Sequence, residues 1–423
     1  MGGTFKAMNK IRPGAYINFE TVPQNLLGVG SRGIATMAVT ANWGEEGLHE
    51  LTQADMLNGN YEKMFGDTDR LLFELMLYGA NKALVYKANE GTKATGTIGG
   101  ITVTAKYGGT FGNKISVGVG EDLTVTTYVD GNEVDSQTVT QISQLIENDY
   151  VTFSGSSAPT QTAITPLTGG GNGSAEYTEY FKLLMTKKWN TLACTDNTMK
   201  DNVVSLVKTM RETEGVKVQA VIGADEDFDN EAIINVVQKV AIDETEITPA
   251  QLTAYVAGIT AGADINESNT AAVTPFTRIV DEKTNTEIEE GLLDGKFLFS
   301  YTADGSVKCE QDINSLTTVT AEKGKMFKKN RVIRVLDEIA NQITSVFEAS
   351  FMGKINNNDI GRTTFKNVLV GYFNQLQGLN AIQNFVAEDV SVDAGVEIDE
   401  IIVTANIQPV DSVEKLYMTV KLS

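Results

Sequence analysis

The stretch "NTLACTDNTMKDNVVSLVKTMRETEGVKVQAVIG", residues 190–223, decides the fold class of this 423-residue chain. Its two ends, "NTLAC" and "VKVQAVIG", are short apolar runs typical of buried strands. The segment between them carries apolar residues at helical spacing and stops at Gly215, a residue type that commonly terminates helices. A strand, a helix and a second strand in this order predict parallel pairing in a sheet covered by helices.

The same alternation continues on both sides of this stretch. Residues 67–79, "DTDRLLFELMLYG", predict a helix, and residues 82–88, "KALVYKA", predict a buried strand. Residues 174–189 predict a helix capped by Ser174, and residues 248–262, "TPAQLTAYVAGITAG", predict another that begins with a Thr-Pro pair. We therefore expect an α/β core sheet flanked by helices.

The composition changes between residues 90 and 173, where Thr, Gly, Val and Ser dominate. The sequence "VDGNEV" places an Asp-Gly turn between two strand-like runs, and "ISQLIEND" predicts one short helix. The segment closes on "TPLTGGGNGS", whose composition is typical of a flexible linker. These features predict an inserted all-β domain.

Both ends of the chain carry apolar residues at alternate positions, the pattern of a half-buried strand. No hairpin partner is evident beside the N-terminal run, so we expect extended arms. The candidate arm residues are Ile11, Ala15, Ile17 and Phe19 near the start, and Ile401, Val403, Ala405, Ile407, Leu416, Met418, Val420 and Leu422 near the end.

Two long helices precede the C-terminal strands, at residues 330–353 and 359–378. Together, these patterns predict a multidomain protein of mixed α/β and α+β class, with extended N- and C-terminal strand arms. The expected divisions are an N-terminal arm at 1–28, the first part of the α/β core at 29–89, the inserted β domain at 90–173, an α/β domain at 174–300, a C-terminal core domain at 301–400 and a C-terminal strand arm at 401–423.

One glycine pattern offers an alternative function. Gly28, Gly30 and Gly33 match G-x-G-x-x-G, the fingerprint of a nucleotide-binding α/β enzyme. That fingerprint needs a buried strand before it and a helix after it. Here the preceding "INFETVPQN" is not apolar, and the following "IATMAVTANWG" resembles a strand. The favoured interpretation is therefore a glycine-rich turn that acts as a hinge between the N-terminal arm and the first core strand.

Composition argues against several functional classes. The net charge of −21 disfavours a nucleic-acid partner, and no apolar run is long enough for membrane insertion. The single histidine, His49, and the two cysteines leave little material for acid-base or zinc chemistry. The acidic run "ADEDFDNEAIINV" lacks the glycine and the terminal glutamate of a calcium loop. We expect no catalytic residue, no metal and no cofactor.

One segment opposes the overall acidity. The sequence "KGKMFKKNRVIR" is basic throughout, and it leads into the first long C-terminal helix. A solvated helix face is one explanation, and a docking surface for an acidic protein is the other. The residues involved are Lys323, Lys325, Lys328, Lys329, Arg331 and Arg334.

Several stretches, in order along the chain, resemble the sheath protein of contractile phage tails. The similarity is to sheaths of phages and phage-tail-like particles of Gram-positive bacteria. The stretches are "RPGAYINF" (12–19), "GSRGIATMAVTANWG" (30–44), "YGGTFGNKISV" (107–117), "AYVAGITAGADINESNT" (254–270), "QDINSLTT" (311–318), "KNRVIRVLDEIANQI" (329–343), "GKINNNDIGR" (353–362) and "QPVDSVEKLYMTV" (408–420).

The resemblance implies a structural protein of a virion tail, assembled in the bacterial cytoplasm. Its subunits would form hexameric rings stacked around an inner tail tube, and would also meet baseplate and tail terminator proteins. The terminal arms would complete the sheets of neighbouring copies, and the basic residues would face the tube. The expected hinges are the glycines of residues 28–33 and the stretch "EDVSVDAGV" (388–396). Phage tail and phage-tail-like bacteriocin are not separated by the sequence.

Overall fold

The structure is a computed structural model that describes residues 28, 30, 32–68 and 70–422. The described residues form two compact units. The first comprises Gly30–Asn341 together with the C-terminal residues from Pro409 onward, and the second includes Gln342–Gln408. The predicted fold class, a mixed α/β and α+β protein with several sheets, is confirmed.

The helices within the described residues are α1 Gln53–Leu57, α2 Asn60–Phe65, α3 Arg70–Leu77, α4 Thr178–Leu184, α5 Lys200–Glu212, α6 Pro249–Gly262, α7 Asn285–Leu293, α8 Asn330–Val346 and α9 Asp359–Gly378. The strands are β1 Ile34–Val39, β2 Gly47–Leu51, β3 Lys82–Lys87, β4 Lys93–Ile98, β5 Ile101–Gly108, β6 Ile115–Val119, β7 Thr124–Val129, β8 Asn132–Thr138, β9 Val151–Ser154, β10 Thr162–Pro166, β11 Thr191–Cys194, β12 Gln219–Ile222, β13 Ile233–Val236, β14 Val240–Ile242, β15 Thr245–Ile247, β16 Arg278–Ile279, β17 Lys296–Phe297, β18 Phe299–Tyr301, β19 Val307–Cys309, β20 Ile382–Gln383, β21 Val390–Ala394, β22 Ile401–Ala405 and β23 Gln408–Pro409.

The first unit is built on a seven-stranded sheet in the order β17-β13-β12-β11-β1-β3-β2. All neighbours pair in parallel except β2 and β3, which are antiparallel at one edge. Successive side chains of a strand point to opposite faces. Ala193 accordingly packs with α3 and α6 on one face, while Leu192 and Cys194 pack with α4 and α5 on the other. The predicted β11–α5–β12 succession is therefore present.

Helix α6 is apolar all round because it is buried between α3 and the sheet. Thr248 caps it through a hydrogen bond from the Gln251 backbone amide, as predicted. The contact with the end of α3 is too close for side chains. A Cβ added to Gly258 would lie 2.1 Å from the Met76 carbonyl oxygen, and one added to Gly262 would lie 1.9 Å from that of Gly79. Glycine is needed here for close approach of the backbones.

The segment between β3 and α4 folds as two packed antiparallel sheets. One has the order β10-β6-β7-β8 and the other β4-β5-β9. Their inner faces form a separate apolar core that includes Trp43, a residue contributed from outside the segment. The Trp43 ring lies 5.3 Å from that of Tyr107 and 5.2 Å from that of Phe111. The expected all-β character of this part is present in the structure.

The second unit contains α9 and the antiparallel pair β21–β22, with β21 packed against α9. The boundary between these two units falls within α8, after Asn341, and the domain divisions expected from the sequence stay predictions. A π-helical turn at Phe347–Phe351 follows α8, and α9 has the predicted bounds.

Two local predictions were wrong. Helix α4 begins at Thr178 after a Tyr177 cap without a side-chain hydrogen bond, so Ser174 is not its N-cap. The stretch "ISQLIEND" contains only a 3-10 turn at Ile142–Gln144. The Glu176 amide donates to the Ala88 carbonyl oxygen and the Ile142 amide to the Ser157 carbonyl oxygen, so both stretches are held by backbone hydrogen bonds to distant residues. The stretch 388–396, an expected hinge, contains β21, which pairs with β22, and its hinge role stays a prediction.

Candidate assembly surfaces

The C-terminal segment, residues 410–422, has no strand or helix although its apolar residues alternate. Every residue from 415 to 422 is exposed. The exposed fractions are 84% for Leu416, 75% for Met418, 69% for Val420 and 96% for Leu422. No backbone hydrogen bond joins this part to any other described residue. A segment with the apolar alternation of a strand therefore lies open and unpaired within the described residues.

Glu414 fastens this segment to the first unit. Its carboxylate pairs with the Lys329 ammonium group and accepts hydrogen bonds from Thr270 Oγ1 at 2.9 Å and Gln311 Nε2 at 2.5 Å. The Glu414 side chain is only 11% exposed, although the residues that follow it project into solvent. The C-terminal segment is therefore anchored to the first unit at Glu414 and is exposed from Lys415 onward.

The partners of Glu414 change its protonation behaviour. Burial acts to raise the pKa of this carboxyl, but the hydrogen bonds from Lys329, Gln311 and Thr270 outweigh it and hold the pKa below its ordinary value. A carboxylate stabilised in this way contributes stability when ionised and loses it on protonation. The fastening is therefore an ionic one.

The pair β21–β22 is the second open β element. The two strands pair antiparallel from Val390–Ala405 to Ala394–Ile401, and neither has another strand neighbour within the described residues. Ile402 is 52% exposed and Val403 39% exposed. Three of the predicted arm residues, Ile401, Val403 and Ala405, thus lie in a strand paired within their own chain, and Ile407 follows it. They are not a free arm, because β21 already satisfies one edge of β22.

The glycine stretch leads directly into β1. Gly30 N–H donates to Glu338 Oε1 at 2.5 Å, and the amides of Gly33 and Ile34 both donate to Asn190 Oδ1, at 3.1 and 3.0 Å. Gly33 has a φ of +108°, and an added Cβ would lie 2.3 Å from Asn81 Nδ2. Gly30, Gly33 and Ile34 are therefore held by their amides, and a glycine is required at 33 both by its positive φ and by its contact with Asn81. A hinge role remains a prediction for Gly28, which has no neighbour within 4 Å of an added Cβ.

The same geometry counts against the nucleotide-binding alternative. A dinucleotide fingerprint lies between a strand and the start of a helix, where the helix N-terminus binds the pyrophosphate. Here Gly33 comes before β1, and the chain after β1 continues through a bend to β2 without forming a helix. The elements that a dinucleotide site requires are in the wrong order.

The six basic residues predicted to face the tube have different environments. Lys323 pairs with Glu231 at 2.7 Å but is 47% exposed, and Lys325 is exposed. Lys328 Nζ donates to the carbonyl oxygens of Leu292 and Leu293 at the end of α7, where the helix dipole favours a positive charge.

The remaining basic residues are turned into the subunit. Lys329 binds Glu414, Arg331 is 9% exposed, and Arg334 is fully buried. Arg334 donates from Nη1 to the Glu267 carbonyl oxygen at 2.6 Å and lies 3.4 Å from the Asp312 carboxylate. The prediction that Arg334 faces a tube was wrong in this conformation. Hydrophobic periodicity could not predict the burial of Arg334, because it assigns charged residues to the exposed side of a helix, and on α8 several of them are buried.

A second buried ion pair holds the middle of α8. Arg211 on α5 binds Asp337 through two hydrogen bonds of 2.7 and 2.8 Å. Burial acts to lower the pKa of Arg211, but the Asp337 carboxylate outweighs it and raises that pKa. Burial, followed by the Arg334 guanidinium, lowers the pKa of nearby Arg32 to about 10. Breaking such a pair is costly because it leaves an uncompensated buried charge.

The remaining predictions concern the N-terminal arm, the cysteines, metal binding and membrane insertion. The N-terminal arm residues Ile11, Ala15, Ile17 and Phe19 lie outside the described residues. Both cysteines are free and buried. Within the part of the chain that the structure describes, no cluster of His, Cys, Asp or Glu is arranged to hold a metal ion. None of the described helices is both long and apolar enough to cross a bilayer.

Comparison with known proteins adds the following findings. Three family models match the chain: the phage tail sheath protein central domain at residues 170–315, the phage tail sheath C-terminal domain at 322–423 and the phage tail sheath protein beta-sandwich domain at 89–172. The chain is 34% identical to the phage-like element PBSX protein XkdK of Bacillus subtilis, over 100% of both chains.

Two solved structures share the fold. The sheath tail protein of Desulfitobacterium hafniense is 38% identical, with a TM-score of 0.86 over 96% of this chain and 99% of that one. The contracted helical sheath of the anti-feeding prophage is 12% identical, with a TM-score of 0.61 over 98% of this chain and 100% of that one. At that low identity the second similarity concerns the fold alone.

Proposed function

This chain belongs to the phage tail sheath family, and from that membership we propose how it works as a sheath subunit. Copies form hexameric rings that stack helically around an inner tail tube. The extended sheath is metastable, and it contracts to a better-packed state that drives the tube through a cell envelope. The protein acts structurally and needs no catalytic group, metal or cofactor for this.

The observation that carries the proposal is the exposed, unpaired C-terminal segment, which has the residue pattern of a strand. Residues 416, 418, 420 and 422 are apolar and between 69% and 96% exposed. An exposed strand of this kind is an aggregation hazard unless another chain pairs with it. Strand addition to a second copy satisfies its backbone groups and buries its apolar face. At about 3.3 Å per residue, residues 415–422 can reach about 26 Å from the body.

The pair β21–β22 is the proposed acceptor. A two-stranded sheet is marginal by itself and gains stability from further strands. Its backbone edges are open within the described residues, and Ile402 and Val403 expose apolar surface beside them. We assign the N-terminal residues Ile11, Ala15, Ile17 and Phe19 to the same kind of pairing.

The further partners follow from the same proposal. The inner tube protein lines the inside of the sheath, and baseplate and tail terminator proteins meet its two ends. The place of action is the tail of a virion or of a phage-tail-like particle, assembled in the bacterial cytoplasm. Among the basic residues, Lys323 and Lys325 are the ones accessible to a tube surface.

The test is assembly of a truncated protein. Purified full-length protein, concentrated and imaged by negative-stain electron microscopy, should form tubes, whereas a variant lacking residues 415–423 should stay monomeric. Circular dichroism should show that the truncated variant keeps its fold, because the deleted residues lie beyond the Glu414 anchor. Tubes of the truncated variant at the same concentration would contradict the proposal.

A further inference from the structure

The start of α8 holds both chain ends of the first unit. Lys329, the residue before α8, binds Glu414 at the base of the C-terminal segment. Glu338 accepts a hydrogen bond of 2.5 Å from the Gly30 amide, close to the beginning of the described chain. At 1.5 Å per residue, Lys329 and Glu338 are about 14 Å apart along the helix axis. One short stretch of chain therefore contacts both Gly30, before β1, and Glu414, at the base of the C-terminal segment.

This stretch is itself held firmly. Asp337 is bound by Arg211 of α5, and Arg334 is bound by the Glu267 carbonyl group and by Asp312. These partners belong to segments far apart in sequence, so they fix the start of α8 relative to the sheet. We call residues 329–338 the mount.

We propose that the mount is a common base for both arms, and that Glu414 and Glu338 are positioning residues that set where each arm leaves the body. The inference rests on the proposed function in one respect, namely that the arms bind other copies. Neither carboxylate contacts another subunit in this proposal. Each acts by fixing the root of an arm.

A fixed root matters for physical reasons. A tethered strand meets its acceptor at an effective concentration set by the length and stiffness of the tether. If Glu414 let go, residues 409–414 would join the flexible arm. The root would then spread over about 13 Å, from 5–6 Å times the square root of the segment length. Each docking event would then have to order this segment as well, and the entropic cost would weaken binding.

Spin-label distances measure this directly. Both native cysteines are buried, so Lys208→Cys on α5 and Lys415→Cys beside the anchor provide two accessible labelling sites. With the full chain, pulsed electron spin resonance should give one narrow distance distribution. Glu414→Ala and Lys329→Ala should each broaden it by about 13 Å, the spread of a freed segment. Glu414→Gln, which keeps the hydrogen-bond acceptor but loses the charge, should broaden it less.

The matched control is Glu322→Ala, which removes an exposed carboxylate near the same basic stretch and should leave the distribution narrow. For the N-terminal root, Glu338→Ala should speed hydrogen exchange at the Gly30 amide about tenfold or more, as expected for loss of a hydrogen bond to a charged group. Thermal unfolding identifies any variant that fails to fold. In that case Glu414→Gln and Lys329→Ala carry the test.

The outcomes separate this inference from the proposed function. Broadened distances together with a raised concentration threshold for tube formation support the positioning role. Broadened distances with unchanged assembly overturn it, and so do distances that stay narrow in both Glu414→Ala and Lys329→Ala. Tubes formed without residues 415–423 would instead overturn strand addition.

Discussion

Replacing Leu416 by alanine should weaken assembly without unfolding the subunit. Leu416 is 84% exposed in the single chain, so nearly all of its side chain is available for burial by a neighbour. The change removes three carbon groups worth about 0.8 kcal/mol each when buried, so we expect a loss of about 2 kcal/mol per subunit added. Since 1.4 kcal/mol is a factor of ten, the critical concentration for tube formation should rise about thirtyfold.

The assay is sedimentation of tubes over a concentration series, with negative-stain images to identify the pelleted material. Thr419→Ala is the matched control, because residue 419 has the opposite parity and would face away from Leu416 in a docked strand. Its critical concentration should change by less than about threefold, the range of a surface substitution. An unchanged threshold for Leu416→Ala, or an equal rise for Thr419→Ala, would refute the reasoning. Chemical unfolding curves of all three proteins should coincide.

Three further predictions follow from the described contacts. Gly258→Ala should lower the free energy of unfolding by about 1–3 kcal/mol through overpacking against Met76. The control is Gly378→Ala, whose added Cβ meets nothing within 4 Å and should not destabilise the protein. Urea unfolding measures both variants, and equal stabilities would contradict the packing account. The pKa of Glu414 is lowered on folding, so the stability that its anchor contributes is present above the ordinary glutamate value of about 4.3 and is lost as the pH falls through the lower folded value. A spin label at Lys415→Cys should therefore become more mobile on acidification. The charged groups that face Glu414 are the Lys329 ammonium group and, 3.7 Å from that ammonium group, the Asp411 carboxylate. A Glu414→Gln variant with the same label should show no such transition. Reversing Lys323 and Lys325 to glutamate should weaken co-assembly with the inner tube protein more at low salt than at high salt; co-assembly that is insensitive to both the reversal and the salt would remove these residues from the tube surface.

Much of the fold could be read from local patterns. The α/β succession around β11, α5 and β12 and the capped start of α6 at Thr248 are properties of short segments. Each depends on periodicity or on capping chemistry, which acts over a few residues. The resemblance to phage tail sheath proteins was also visible in the sequence, and it is confirmed by three family models and by the sheath tail protein of Desulfitobacterium hafniense.

The candidate sites could be predicted less well from the sequence, since a local pattern does not reveal contact partners that are distant in sequence. Lys329 and Glu414 are far apart in the chain, as are Gly30 and Glu338, and nothing in either neighbourhood signals the pairing. The basic stretch looked like one continuous surface. Folding places Lys323 and Lys325 outside and buries Arg334 against Asp312.

The alternating apolar residues near the C-terminus show most clearly what the sequence determines and what the tertiary structure decides. The sequence by itself determined that residues 401–407 and 416–422 have the pattern of strands, because alternation is a local property of the side chains. Only the tertiary structure decided that the first run pairs with β21 in its own chain while the second lies open beyond Glu414. The physical reason is that a strand is completed by hydrogen bonds to another strand, and where that partner lies is fixed by the whole fold.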